Sequence, residues 1–144
     1  MIILDTNVLS ELMRAAPNRS VVAWISGQAA ASLFTTTITE AEIFHGLFLL
    51  PHGRRRLALE SAAEAVFRED LAGRVLAFGS DAARAYAHIA AERRRLGRPI
   101  SQFDAQIAAI ARCSGARLAT RNIADFEDCR IGLVDPFGPF EPPG

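Results

Sequence analysis

Met1-Ile2-Ile3-Leu4-Asp5-Thr6-Asn7-Val8-Leu9 opens the chain, with consecutive apolar residues followed at once by an acid. So short an apolar run, ended by a turn-forming aspartate, reads as a strand buried on both faces. Val8, Leu9 and Met13 continue at helical spacing, so Asp5 stands where a strand passes into a helix. A strand feeding a helix is the first unit of an α/β fold. In parallel sheets, ligands collect beyond the carboxyl ends of the strands. The residues just after each strand are therefore the ones to find.

Moving outward, the helix after Asp5 stops at Pro17, and Ser20 is expected to cap a helix through Val21, Val22, Trp24 and Ile25. Ser32 to Thr37 is β-branched and aromatic, a second strand. Thr39 is expected to open an apolar helix to Leu50, closed by Pro51 and Gly53, and another helix runs from Arg54 to Leu71. Val75 to Phe78 reads as a third strand, with Ser80 capping a helix to Arg95. Gly97-Arg98-Pro99 breaks the chain, and Ser101 starts a helix ending near Gly115. Arg117 to Thr120 and Ile131 to Val134 complete the strands, with a short turn around Asn122 to Phe126 between them. The expected fold is a single-domain α/β/α sandwich around a mostly parallel sheet of about five strands. It would occupy residues 1–137, and 138–144 would be an irregular Pro/Gly-rich tail.

At 144 residues, half of them hydrophobic and 22% charged, the chain suits one ordinary globular core. No apolar run approaches the roughly 20 residues of a membrane span, and the N-terminus lacks the basic region of a signal peptide. Cys113 and Cys129 form no CxxC pair and read as small, partly buried thiols in a reducing compartment, the cytoplasm. Net charge is zero, so the overall field gives no sign of nucleic-acid binding. Lysine is absent, and arginines cluster at Arg54-Arg55-Arg56, Arg93-Arg94-Arg95 and Arg98. Guanidinium groups suit phosphate, but such runs on helices are commonly solvated faces.

Asp5 follows the first strand, Glu42 lies one turn beyond the second, and Asn122 and Asp125 follow the fourth. Asp104 begins the helix that starts at Ser101. Carboxylates gathered in one place raise one another's pKa unless a cation compensates. Magnesium or manganese would compensate, taking oxygen ligands and keeping several waters. Such a site can hold a phosphate and activate a water for in-line attack. Helix caps explain the same residues equally well. Thr39-x-x-Glu42 and Ser101-x-x-Asp104 both match a capping box, Asn122 could cap a turn containing Asp125, and Asp5 could end its strand in an Asx turn. Spacing does not separate Glu42 from Glu40, and Asp81 also follows a strand.

Four segments together resemble the PIN-domain family, particularly its VapC-type and FitB-like ribonuclease toxins. They are Ile2 to Leu9, Thr39-Glu40-Ala41-Glu42-Ile43-Phe44-His45-Gly46, Pro99 to Ala109 around Asp104, and Leu118 to Phe126. The resemblance selects Glu42 over Glu40, because a glycine stands four residues later. It implies a magnesium- or manganese-dependent ribonuclease in which Asp5, Glu42 and Asp104 hold the metal and its water. Asp125 would be the fourth acid, since Asn122 stands where some relatives have aspartate. Thr6 and Thr120 would orient the carboxylates, with Asn7 and Asn122 supporting them, although Asn7 could simply cap the first helix. A homodimer and a partner antitoxin that occludes the site are also implied. Ile43, Phe44, Leu47, Phe48, Leu49 and Leu50 cover more of their helix than one stripe needs, which fits either an interface or burial on both sides.

Other chemistries have weaker footing. A phosphatase with Asp5 as nucleophile would want an acid where Asn7 stands. A receiver domain would want adjacent N-terminal acids and a lysine. Glu42-x-x-His45 is only half of a di-iron carboxylate motif. A PIN-like interaction module without activity is the non-enzymatic alternative.

Overall fold

The structure, a computed structural model, describes residues 1–138. The expected tail therefore lies almost wholly outside the described residues. Five strands form one sheet: β1 (Ile2–Leu4), β2 (Leu33–Thr36), β3 (Val75–Leu76), β4 (Arg117–Ala119) and β5 (Leu133–Val134). Six helices connect them: α1 (Thr6–Leu12), α2 (Arg19–Ser26), α3 (Thr37–Phe48), α4 (Arg54–Ala65), α5 (Ser80–Arg95) and α6 (Gln102–Ser114). The strand order is β3-β2-β1-β4-β5 and every pairing is parallel. No helix among the described residues is long and apolar enough to cross a membrane.

β1 lies at the centre, and its alternation builds both halves of the core. Ile3 points into a cluster with Ile89, Ile107, Ile110, Leu118 and Phe126, which carries α5 and α6. Ile2 and Leu4 point the other way, toward Val8, Leu9, Trp24, Ile43 and Leu47 from α1 to α3 and Phe67 just beyond α4. Both faces are covered, which is why β1 has no polar alternation. Gly115 closes α6 in the left-handed region at φ 63, and Ala116 N–H reaches back to Ala111 O at 2.9 Å.

Several boundaries differ from the expected ones. Asn18, not Ser20, caps α2, its Oδ1 accepting from Ser20 and Val21 amides at 2.9 and 3.2 Å. Thr36, not Thr39, caps α3, accepting from the Thr39 amide at 3.1 Å. Gly79 occupies the cap position of α5, and Ser80 is already helical. After Ala65 the α4 helix widens into a π-type turn over Val66–Asp70, where Leu71 N–H bonds Val66 O at 2.8 Å. β3 and β5 are shorter than expected. On α3, Ile43 and Leu47 are buried, while Phe44 packs beside the Phe48 and Phe67 rings at 5.9 Å. Phe48 and Leu49 stay 56% and 72% exposed, so burial on both sides does not account for the apolar excess of this helix. Of the cysteines, Cys129 is buried and Cys113 is exposed.

Candidate active site

The chain leaves β1 on one side to form β2 and β3, and returns to its other side as β4 and β5. Beyond the carboxyl ends of β1 and β4 the connections diverge, leaving the crevice in which open α/β sheets place ligands. Asp5 sits there, 4% exposed. Its amide continues the ladder to Ala119 O at 2.9 Å, and its side chain then caps α1, with Oδ1 accepting from Thr6 N–H at 2.8 Å. Oδ2 accepts from the Thr120 hydroxyl at 2.7 Å and from Asn7 Nδ2 at 3.3 Å. These donors favour the ionised form, yet the Asp5 pKa is pushed up from 3.8 to about 6. Burial is the largest cause, the Thr120 and Thr6 bonds oppose it, and the charges of Asp104 and Glu42 add to it.

Asn7 is therefore not the cap of α1. It links two elements, with Nδ2 toward Asp5 and Thr120 and Oδ1 accepting from the Arg121 amide at 3.1 Å. Thr120 is fully buried and its oxygen also accepts from the Asn122 amide at 3.1 Å. Asn122 thus enters the site through its backbone, and its side chain is exposed and caps nothing.

Glu42 projects from the second turn of α3, where Thr6 Oγ1 donates to Oε1 at 2.9 Å. The single Thr6 proton is used there, so the 3.0 Å contact between the Thr6 and Thr39 hydroxyls is donated by Thr39. Burial raises the Glu42 pKa, against the Thr6 bond, and Asp104 raises it further. Glu40 lies apart, in a shallow depression with Phe44 and Phe48. Asp81 lines a separate hollow with Gly79 and Cys113. His45 is exposed.

Asp104 stands in the first turn of α6, whose cap Ser101 accepts from the Asp104 amide at 3.2 Å. Burial raises its pKa, the Ser101 hydroxyl opposes this, Asp125 raises it and Arg93 lowers it. Asp125 is exposed, in a single 3-10 turn over Ile123–Phe126, and is a charge neighbour of Asp104 rather than of Asp5 or Glu42.

Two contributors escape the sequence reading. Thr39, expected as a cap, is fully buried and steadies Thr6. Arg93, expected on a solvated face, is 4% exposed. Its guanidinium donates to the carbonyls of Arg98, Asp125 and Glu127 at 2.7, 2.8 and 3.0 Å, binding the Asp125 loop to α5. Ala82, Tyr86, Ile89 and Arg93 share one helical face, a spacing from which its burial could be read.

Asp5, Glu42 and Asp104 come from three distant segments, yet Asp104 and Glu42 both push the Asp5 pKa up and Asp104 pushes that of Glu42 up. An all-carboxylate set whose members disfavour each other's ionisation suits a hard cation. Among the described residues no three acidic, histidine or cysteine side chains close into a ready-made cage. A hard ion could be held here only by one or two carboxylates directly, with others reached through water.

The sequence profile of the PIN domain matches residues 2–130. The chain belongs to the PIN-domain family. This PIN domain is 42% identical over 139 residues to the VapC ribonuclease Y4jK of Sinorhizobium fredii, covering 96% of this chain and 99% of the relative. It is 34% identical over 137 residues to Toxin FitB of Neisseria gonorrhoeae, covering 95% and 99%. The crystal structure of FitAcB from Neisseria gonorrhoeae superposes on the PIN domain with a TM-score of 0.87, at 34% identity and 96% and 99% coverage. The five-stranded parallel sandwich is thus the PIN architecture.

Proposed function

We propose that this PIN domain is a metal-dependent endoribonuclease and the toxin of a toxin–antitoxin pair. The observation that carries the reading is buried Asp5 at the carboxyl end of β1, where the charges of Asp104 and Glu42 add to burial in pushing its pKa up to about 6. Asp5 and Asp104, with Glu42, would hold the ion, and the relatives named ribonuclease and toxin support the nuclease and toxin parts of the reading. Magnesium, or manganese, would supply charge neutralisation at the phosphate and a more acidic bound water. Thr120, Asn7 and the Thr6 amide fix the Asp5 carboxylate in one orientation before any substrate arrives. Thr6, steadied by Thr39, does the same for Glu42. Such preset geometry spares reorganisation during the reaction.

An Asp5-nucleophile phosphatase draws little support, because both carboxylate oxygens are already engaged and the group is buried. An inactive module would have no need to keep three mutually repelling acids together. Cleavage of total RNA by purified protein with magnesium or manganese, lost in Asp5→Asn and in the presence of chelator, is the expected result. No cleavage of any RNA under these conditions would remove the reading. The cytoplasmic location, the homodimer and the antitoxin partner belong to the same proposal. Stable co-purification with the product of an adjacent short reading frame, with cleavage suppressed, tests the last of these.

A further inference from the structure

We infer that Arg98 is a positioning residue for the acidic site: joined to Arg93, it holds the turn that carries Asp125 beside Asp104. The inference rests on the ribonuclease reading above and deepens it, since Arg98 acts through Asp125.

The turn has little to hold itself in place. Ile123–Phe126 is a single 3-10 turn, too short to be stable alone. Just beyond it, Asp128 and Arg130 both take left-handed backbone, at φ 62 and 57. Residues other than glycine seldom stay there unless their surroundings hold them. Asp125 is also the largest charge influence on Asp104, and two like charges drive their carriers apart. Phe126 and Cys129 anchor the loop in the core, whereas Ala124 and Asp125 are exposed.

The two arginines supply the missing restraint. The Arg98 amide donates to Arg93 O at 2.9 Å, and Arg93 Nε donates back to Arg98 O at 2.7 Å, closing the corner after α5. From that corner Arg93 Nη1 donates to the carbonyls of Asp125 and Glu127 at 2.8 and 3.0 Å. Arg98 Nη2 donates to the Ala124 carbonyl at 3.4 Å and to Glu127 Oε2 at 3.0 Å, while Nη1 donates to Asp128 Oδ2 at 3.0 Å. One planar fork therefore takes hold of the turn on both sides of Asp125, which a compact ammonium could not do. Exposed ion pairs of this kind add little to stability. Their effect here is on where Asp125 stands.

The experiment is a double-substitution cycle on the full chain, with Arg98→Ala and Asp125→Asn made singly and together. It is read by single-turnover cleavage of one defined RNA at saturating protein, which removes effects on RNA affinity, and by calorimetric titration of manganese. Arg98→Ala should slow cleavage about as much as Asp125→Asn does, by no more than about tenfold, and weaken manganese binding by a similar factor. Arg98→Lys should restore only part of each. Once Asp125 is asparagine, Arg98→Ala should change either readout by less than about twofold, because the charge it places is gone. Glu127→Gln combined with Asp128→Asn opens the clamp from the loop side and should reproduce Arg98→Ala, so it carries the test if Arg98→Ala folds poorly. Cleavage and ion binding that are undiminished in both clamp variants overturn the inference. An equal loss from Arg98→Ala with and without Asp125→Asn overturns it too, marking Arg98 as a direct RNA contact or a purely structural group. A parent that binds manganese but cleaves no RNA removes the ribonuclease reading, and the manganese cycle alone then supports or overturns the clamp. A parent that neither binds the ion nor cleaves removes both.

Discussion

The Thr120 hydroxyl donates to Asp5 Oδ2 at 2.7 Å across a sequence separation of 115 residues. This bond joins the carboxyl ends of β4 and β1, and it is the largest influence opposing the upward push of burial on Asp5. Thr120→Val keeps the shape and removes the donor. A hydrogen bond to a charged group contributes about 1.5–3 kcal/mol, so the acid limb of the cleavage pH profile should move up by about one unit. Thr120→Ser should restore it. An unchanged acid limb in Thr120→Val would count against the role assigned to this bond.

Asp5 also makes stability depend on pH in a definite direction. Its folded pKa of about 6 lies above the ordinary 3.8, so the folded chain binds more protons than the unfolded chain between those values. Metal-free protein should therefore become more stable as pH falls from about 6 toward 4, and that gain is absent above 6. The gap corresponds to roughly 3 kcal/mol, and the raised Glu42 and Asp104 act in the same direction. Asp5→Asn should be the more stable protein at neutral pH without metal, by about 1 kcal/mol or more. Added magnesium should raise the melting temperature of the parent and leave that of Asp5→Asn nearly unmoved. Thermal unfolding at pH 5 and pH 7.5, with and without magnesium, reads all of this.

Arg93 is a buried cation whose three carbonyl acceptors are all neutral and lie on loops beside the site. Arg93→Met would leave those carbonyls unpaired, at about 1–3 kcal/mol for each buried group. We expect a loss of at least about 3 kcal/mol, close to 10 °C in melting temperature for a domain of this size. Arg93→Lys, lacking the planar fork, should recover less than half of it. Calorimetric unfolding of both variants checks the expectation.

The acids should not be equivalent. Asp104→Asn removes a group coupled to both Asp5 and Glu42, and cleavage should fall more than about a hundredfold. Asp125 is exposed and coupled to Asp104 alone, so Asp125→Asn should cost about tenfold or less. Single-turnover cleavage of one defined RNA under saturating protein compares them. A larger loss in Asp125→Asn than in Asp104→Asn would contradict the assignment.

Ile2-Ile3-Leu4-Asp5 is enough to read a doubly covered central strand ending in an acid, because burial on both faces demands an unbroken apolar run. The start of α3 is not readable in the same way. It depends on where β2 stops, and β2 stops where Thr35 and Thr36 pair with Val75 and Leu76 far along the chain. That displacement makes Thr36 the cap and carries Thr39 into the site, which removes the capping explanation for Glu42. Periodicity alone leaves Glu40 and Glu42 level, and the resemblance to PIN domains chooses between them. Asn7 is ambiguous for a related reason: its partners, Thr120 and the Arg121 amide, follow a strand that only folding brings near. Arg93 is hidden by its company, since Arg94 and Arg95 are solvated and the triplet reads as one surface run.

Titration of manganese into the protein, followed calorimetrically at pH 7.5, tests the shared carboxylate site most directly. Parent protein should bind the ion, and Asp5→Asn, Glu42→Gln and Asp104→Asn should each weaken that one binding event while the fold persists. Binding that is unchanged in all three variants would contradict a single ion held jointly by these acids.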